Sequence, residues 1–302
     1  MTRRPSSPLN VAVPCDRPGR CKPCSTCPEK CVTRYRDGAK RSVFHKLARA
    51  EPIHGKSGIL IPGFHAVQEI LDHASHRIEE IWISERKKSP RVREILRMAR
   101  EKNIPVFFKK NDELSRHLPE MSHQGIAART SPFTYVDLEH LQKACSHNSA
   151  LILALDHITD EGNLGAIIRT AAFFAVDGMI LPKDRSAGMS PAVLKRSSGA
   201  FIHLPVARVV NLGNALSVLK SRGLWIIGTC VERGTSIYTF DWDRPVVLVL
   251  GNEHKGISPS IRKLCDQLVA IPVSGHGESL NVAVAGGVIL SEIVRQRKRR
   301  LA

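Results

Sequence analysis

Aromatic side chains are scarce in this chain of 302 residues, at 5%. That argues against an aromatic stacking platform for single-stranded nucleic acid. Acidic residues are also short: 28 Asp and Glu stand against 45 Lys and Arg, a formal net charge of +17. No run approaches the ~18 apolar residues of a membrane span, and the start, MTRRPSSPLN, has no apolar signal segment. The expected setting is cytoplasmic, with no membrane partner. In that setting disulfides are a poor default for the eight cysteines. No GxGxxG occurs, so a dinucleotide site of the Rossmann kind is not supported. There is no internal repeat.

What is present points elsewhere. Hydrophobic residues make up 42% of a chain long enough for two domains. The basic excess, with a pI near 9.9, favours a polyanionic partner, nucleic acid above all. A basic solvated surface is the plain alternative. Residues 1–55 hold 12 Lys and Arg against 4 Asp and Glu, and RQRKRRLA at the other end adds five positive charges. Either end can touch phosphates, and either can be a solvated tail.

Five cysteines fall within residues 15–31. Cys21, Cys24, Cys27 and Cys31 give C-x2-C-x2-C-x3-C, with Cys15 upstream. Thiolates this close can ligate zinc or an iron–sulfur cluster. Val32 follows where a ferredoxin run has proline, and no second, separated run of cysteines exists. A reduced tail without metal is the alternative. Cys145, Cys230 and Cys265 read as small hydrophobes.

Periodicity divides the rest. Residues 1–55 lack a sustained apolar period and read as an extension. Residues 56–132 read as a small α/β domain. GILIPGFHAVQEILDHASHRIEEIWIS gives a strand, a turn at Gly63, a helix with Val67, Ile70, Leu71 and Ala74 on one face, and a second strand. RVREILRMAREKN gives another helix, with Val92, Ile95, Leu96 and Ala99 aligned; IPVFFK and HQGIAART close the unit. Residues 133–149 read as a linker with a short helix. Residues 150–302 begin with a βαβ unit: the strand ALILAL, the loop DHITDEGN, a helix with Leu164, Ile167, Ile168, Ala171, Ala172 and Ala175 on one stripe, and the strand DGMILP. LWIIGTCV, VVLVLG and LVAIPV read as further strands and LNVAVAGGVILSEIVRQRKRR as the closing helix. Short all-apolar strands predict a parallel sheet covered on both faces.

Ligands of open α/β sheets gather at the carboxyl ends of the strands. The loops there are DHITDEGN, GNEHKGIS and SGHGES, each with glycine beside polar residues. Taken singly, Asn163 is explained as a helix N-cap, Arg169 as a surface arginine, Glu253 as a turn residue, and Ser279 with Asn281 as another cap. Taken together, three such loops in order are a more specific pattern.

NLGAIIRTAAFFAVDG, LVLGNEHKGIS and IPVSGHGESLNVAVAGGVILSE, spanning about residues 151–297, resemble the three motifs of the SpoU/TrmH family of RNA ribose 2′-O-methyltransferases, of the SPOUT class. The segment from Gly58 to Arg129, with GFHAVQEIL, resembles that family's small ribosomal-protein-like RNA-binding domain. KDRSAGMSP and SSGAFIHLPVARVVNL are most similar to the branch that methylates a guanosine of 23S rRNA. The resemblance implies a knotted α/β fold with a parallel sheet, a homodimer with its site near the dimer interface, and S-adenosylmethionine as methyl donor. It implies that Arg169 helps activate the ribose 2′-hydroxyl, that Asn163 orders the site, that Glu253 orients the arginine and its loop, and that Ser279 and Asn281 lie beside the arginine and the RNA. The cofactor would be gripped by backbone at Gly251, Ile271 and Leu280, with Thr229 bordering the pocket. One departure is visible: His254 and Lys255 stand where the second motif commonly has small or polar residues.

The residue types suit that chemistry. In-line methyl transfer depends on orientation, and a sulfonium methyl needs no metal to be electrophilic. A guanidinium has a pKa above ~12 and is a poor base. Arg169 is either deprotonated in a special environment or stabilises oxyanion charge while phosphate or water takes the proton; the second needs no extreme shift. Alternatives are a tRNA ribose methylase, a non-catalytic ribosome-assembly factor, and a metal- or redox-responsive regulator acting through the cysteines.

Overall fold

A computed structural model describes residues 58–299, apart from 120, 145, 146, 148, 232, 254, 277 and 278. The extension over 1–55, the candidate metal ligands Cys21, Cys24, Cys27 and Cys31, and also Cys145 and His254, lie outside the described residues.

Alternating short elements build a first sheet from β1 (Ile59–Pro62), α1 (Phe64–His73), β2 (Ile78–Ser84), α2 (Pro90–Glu101), β3 (Val106–Lys109), α3 (Asn111–His117) and β4 (Ile126–Thr130). The strand order is β1-β4-β2-β3. β4 runs antiparallel to both neighbours, while β2 and β3 are parallel. Gly63 starts α1 with φ 105, a left-handed conformation that glycine adopts without a Cβ clash. Val67, Ile70 and Leu71 are buried at the expected spacing, with Ala74 just past the helix end. Ser89 caps α2 by accepting from the Val92 amide at 3.3 Å, ahead of Pro90 in the first turn. Met98, not Leu96, completes the buried face of α2. α3 was not expected: it buries only Leu114, so it carries no apolar period to read.

After α4 (Leu138–Ala144) come β5 (Leu151–Asp156), α5 (Glu161–Phe173), β6 (Gly178–Pro182), α6 (Pro191–Arg196), β7 (Val206–Val209), α7 (Leu212–Ser221), β8 (Trp225–Thr229), β9 (Thr235–Ser236), β10 (Val246–Gly251), α8 (Pro259–Arg262), β11 (Gln267–Ala270) and α9 (Val282–Arg299). The seven strands lie in the order β7-β6-β5-β10-β8-β11-β9, and every pairing is parallel. Strand alternation splits the core in two. Leu151, Leu153, Leu155, Leu248 and Leu250 share a cluster with Leu164 and Ile168 of α5 and Ile289 and Ile293 of α9. Ile152, Ala154, Val247 and Val249 pack instead with Leu212, Leu216 and Leu219 of α7 and Ile261 of α8. α6, β7 and α7 fill the stretch between the βαβ unit and LWIIGTCV.

Two readings of the helices are corrected. The stripe on α5 ends at Ala171, with Ala172 half-buried; Ala175 lies beyond the helix end, exposed, with φ 51. The basic end of α9 is not all free for phosphates. Arg295 donates to Glu292 at 2.7 Å, and Arg297 donates to the carbonyls of Ser149, Trp242 and Arg244 at 2.6–3.1 Å. The Arg297 bonds pin the helix end to the segments before β5 and β10.

The two sheets meet where α6 packs on β1 and where a short turn, Ala200–His203, packs on α1 and α5. Gly199 precedes that turn with φ 90, and a Cβ there would sit 2.5 Å from Glu69 Cβ. No helix among the described residues is long and apolar enough to cross a membrane.

Candidate active site

The carboxyl ends of β5 and β10 are tied together first. Asp156, the last residue of β5, is 1% exposed. Its carboxylate pairs with His157 Nδ1 at 2.6 Å and accepts from the Ser258 amide at 2.6 Å. Asn252 Nδ2 donates to the His157 carbonyl at 2.9 Å. The chain then closes on itself: the Asn252 and Gly256 backbones exchange hydrogen bonds at 3.0 and 2.8 Å, with Gly256 at φ 65. A Cβ on Gly251 would lie 2.3 Å from backbone atoms of Gly256 and Ile257. Glycine at 251 is therefore required by the loop itself, whatever approaches it from outside.

That tight loop presents Glu253 to α5. The cap of α5 is Asp160, which accepts from the Asn163 amide at 2.7 Å; the Asn163 side chain is free of the capping duty that its position suggested. Its Nδ2 donates to Glu253 Oε1. Its Oδ1 accepts from Asn281 Nδ2 at 2.8 Å. Asn281 Oδ1 in turn accepts from the amides of Ala283 and Val284 at 3.0 and 3.3 Å, capping α9. One relay of side chains thus joins the loops after β5, β10 and β11.

Arg169 points elsewhere. Six positions along a helix amount to about 9 Å of rise and about 120° of rotation from Asn163. Its Nη1 donates to Ser198 Oγ at 3.4 Å, and among the described residues no carboxylate pairs with it. Among the described residues no hydrogen bond or ion pair joins Arg169 to Glu253, whose carboxylate meets Asn163 instead. Arg169 lines a cleft of about 880 Å³ whose other wall includes His65, Glu69 and Asp72 of α1, with His203 at its edge.

The remaining predicted residues lie at the carboxyl ends of neighbouring strands or in the segment after β11. Thr229 ends β8 and donates to the Val249 carbonyl at 3.0 Å. Gly251 ends β10, and Ile271 follows β11; β10, β8 and β11 are neighbours. Leu280 is 51% exposed, and the exposed Ser279 precedes it. The described residues between 271 and 280 belong to no helix or strand, which leaves backbone groups there for a ligand. An exposed leucine beside such backbone suits a ligand with an apolar face and a polar tail. Asp156, Asp160 and Ser198 escaped sequence reasoning. Asp160 carried a signal, as an acid three residues before Asn163; Ser198 carried none, since it meets Arg169 across 29 residues.

The comparisons with known proteins agree with this layout. Residues 150–291 match the SpoU rRNA Methylase family, and residues 60–136 match RNA 2′-O ribose methyltransferase substrate binding. The 23S rRNA (guanosine-2′-O-)-methyltransferase RlmB of Pseudomonas putida is 41% identical over 79% of this chain and 96% of its own. The enzyme of the same name from Pseudomonas syringae is 38% identical over 80% of this chain and 96% of its own. Among solved structures, the SpoU methyltransferase AviRb from Streptomyces viridochromogenes, in complex with AdoMet, superposes with a TM-score of 0.65 at 28% identity, covering 80% of this chain and 90% of that one.

Proposed function

The chain belongs to the SpoU rRNA methylase family, and from that premise we propose that it methylates the ribose 2′-hydroxyl of a guanosine in 23S rRNA. S-adenosylmethionine, when bound, supplies a methyl on a positively charged sulfur, which the ribose oxygen takes as its hydroxyl proton leaves. The observation that carries the site assignment is the relay Glu253–Asn163–Asn281. It locks together the three strand-end loops that the cofactor and ribose must share. Thr229, Gly251, Ile271 and Leu280 border the cofactor, and Ser279 and Asn281 face the RNA.

Arg169 acts as an electrostatic stabiliser. Its charge is uncompensated by a carboxylate among the described residues and is held loosely by a neutral hydroxyl. A guanidinium so placed can turn toward developing oxyanion charge without giving up its own proton. Water or an RNA phosphate takes the hydroxyl proton.

Residues 58–130 hold the RNA, and two copies pair through α5 and α9. Those helices pack together and expose Phe173 at 80% and Val284 at 53%, apolar area that a partner would cover. The knot belongs to the same reading, and the return of α9 from β11 to pack on β10 and α5 supports it.

The test is methyl transfer from labelled S-adenosylmethionine to unmodified 23S rRNA and, separately, to bulk unmodified tRNA. Label recovered as 2′-O-methylguanosine from 23S rRNA is the expected result. Label in tRNA alone keeps the chemistry and overturns the substrate. No label in either, with RNA still bound, points to an assembly factor.

A further inference from the structure

Away from the strand-end loops, three side chains from two parts of the chain converge on one point. Glu69 and His73 lie one turn apart on α1, so both project from the same helix face. His203 comes from the turn after Gly199. His203 Nε2 is 2.8 Å from Glu69 Oε1, and His73 Nε2 is 3.7 Å from the same oxygen. The two imidazoles meet edge to face with centroids 4.9 Å apart. One donor atom from each residue fits within 4.8 Å of the others.

Donors on a tetrahedral zinc ion stand about 3.3–3.6 Å apart when the metal–ligand distances are about 2.0–2.2 Å. The two separations from Glu69 Oε1, 2.8 and 3.7 Å, bracket that range. We propose that Glu69, His73 and His203 form a binding site for a divalent transition metal of the zinc class, with a fourth position open to solvent. Two imidazoles and one carboxylate suit zinc, cobalt or nickel; magnesium and calcium prefer oxygen ligands. The side chains are 37–55% exposed, so an ion can enter from bulk water.

The backbone prepares this meeting. Only glycine at 199 lets the turn lie against Glu69, since a Cβ would fall 2.5 Å from the glutamate Cβ. A bound metal would clamp α1 to the 200–203 turn, and so fix both walls of the cleft that Arg169 lines. Without metal the same residues hold together by a His203–Glu69 hydrogen bond, and the test must separate the two.

The test uses the full chain with Cys15, Cys21, Cys24, Cys27 and Cys31 replaced by Ser, which removes competing thiolates. Co2+ is titrated with absorbance as the readout, and Zn2+ then competes it off. One equivalent per chain is expected, with visible bands and no thiolate charge-transfer band. At a hundredfold excess over Kd the metal raises the thermal midpoint by roughly 5–10 °C. H73A and H203A each weaken binding at least tenfold while circular dichroism stays unchanged. E69Q keeps a hydrogen-bond acceptor for His203 but loses the anionic ligand, and it weakens binding likewise. Absence of a bound ion, a thiolate band, or binding unchanged in the H73A/H203A double variant would each overturn the site. Because the readout is binding, the outcome is independent of whether the chain methylates RNA.

Discussion

A single amide at Asn281 caps α9 and grips Asn163 at once. Its removal therefore has two consequences. Asn281→Ala is expected to cost about 1–2 kcal/mol of stability, read by urea unfolding, and to weaken cofactor binding in the same protein. A variant that loses stability but binds cofactor normally would confine Asn281 to capping. Arg169 has the opposite profile: it is exposed and structurally undemanding. Arg169→Ala should lower single-turnover methylation by roughly 10²–10³-fold, with stability, RNA binding and cofactor binding intact. Arg169→Lys should retain more activity than alanine if charge is what matters; equal loss would argue for the planar guanidinium geometry.

At the level of elements, the corner between α8 and β11 shows how a polar turn is locked into the sheet edge. Asp266 accepts from the Ile226 amide at 2.9 Å and pairs with Lys220 at 2.7 Å. Beside it, burial, followed by the Asp266 carboxylate, pushes the Cys265 thiol from an ordinary 9.0 up to about 11. The folded chain thus keeps a proton that the unfolded chain loses above pH 9. Stability from this group is complete below pH 9 and falls as pH rises toward 11. Urea midpoints between pH 8 and 10.5 should fall more steeply for the parent than for Cys265→Ala. Parallel slopes would mean that the thiol ionises as freely folded as unfolded.

For the whole molecule, charge and the α5–α9 face govern association. A net charge of +17 makes RNA binding depend on counterion release. With three or more phosphates neutralised, affinity should drop roughly 20-fold or more between 50 and 200 mM salt, measured by filter binding. A flat salt response would remove the electrostatic footprint. Phe173→Asp should convert a dimer to a monomer in light scattering, without unfolding, because the side chain is 80% exposed in the single chain. A parent chain that is already monomeric would defeat the dimer reading.

Much of this was legible in one dimension because it depends on local periodicity. The buried faces of α1 and α5, the apolar runs of β5 and β10, and the glycine-bearing loops at strand ends all follow from spacing and residue type. The loop motifs also singled out Asn163, Arg169, Glu253 and Asn281. Elements without a strong period, such as α3, were not readable, and a stripe extrapolated too far placed Ala175 inside a helix that ends at Phe173. Only the tertiary structure decided which of the named groups touch. Asn163 meets Glu253 across 90 residues and Asn281 across 118, while Arg169 turns to Ser198. Glu69 finds His203 across 134 residues. Sequence determines the chemistry each side chain brings; packing of distant loops, held by contacts such as that of Gly251 with Gly256, determines which of them share a site.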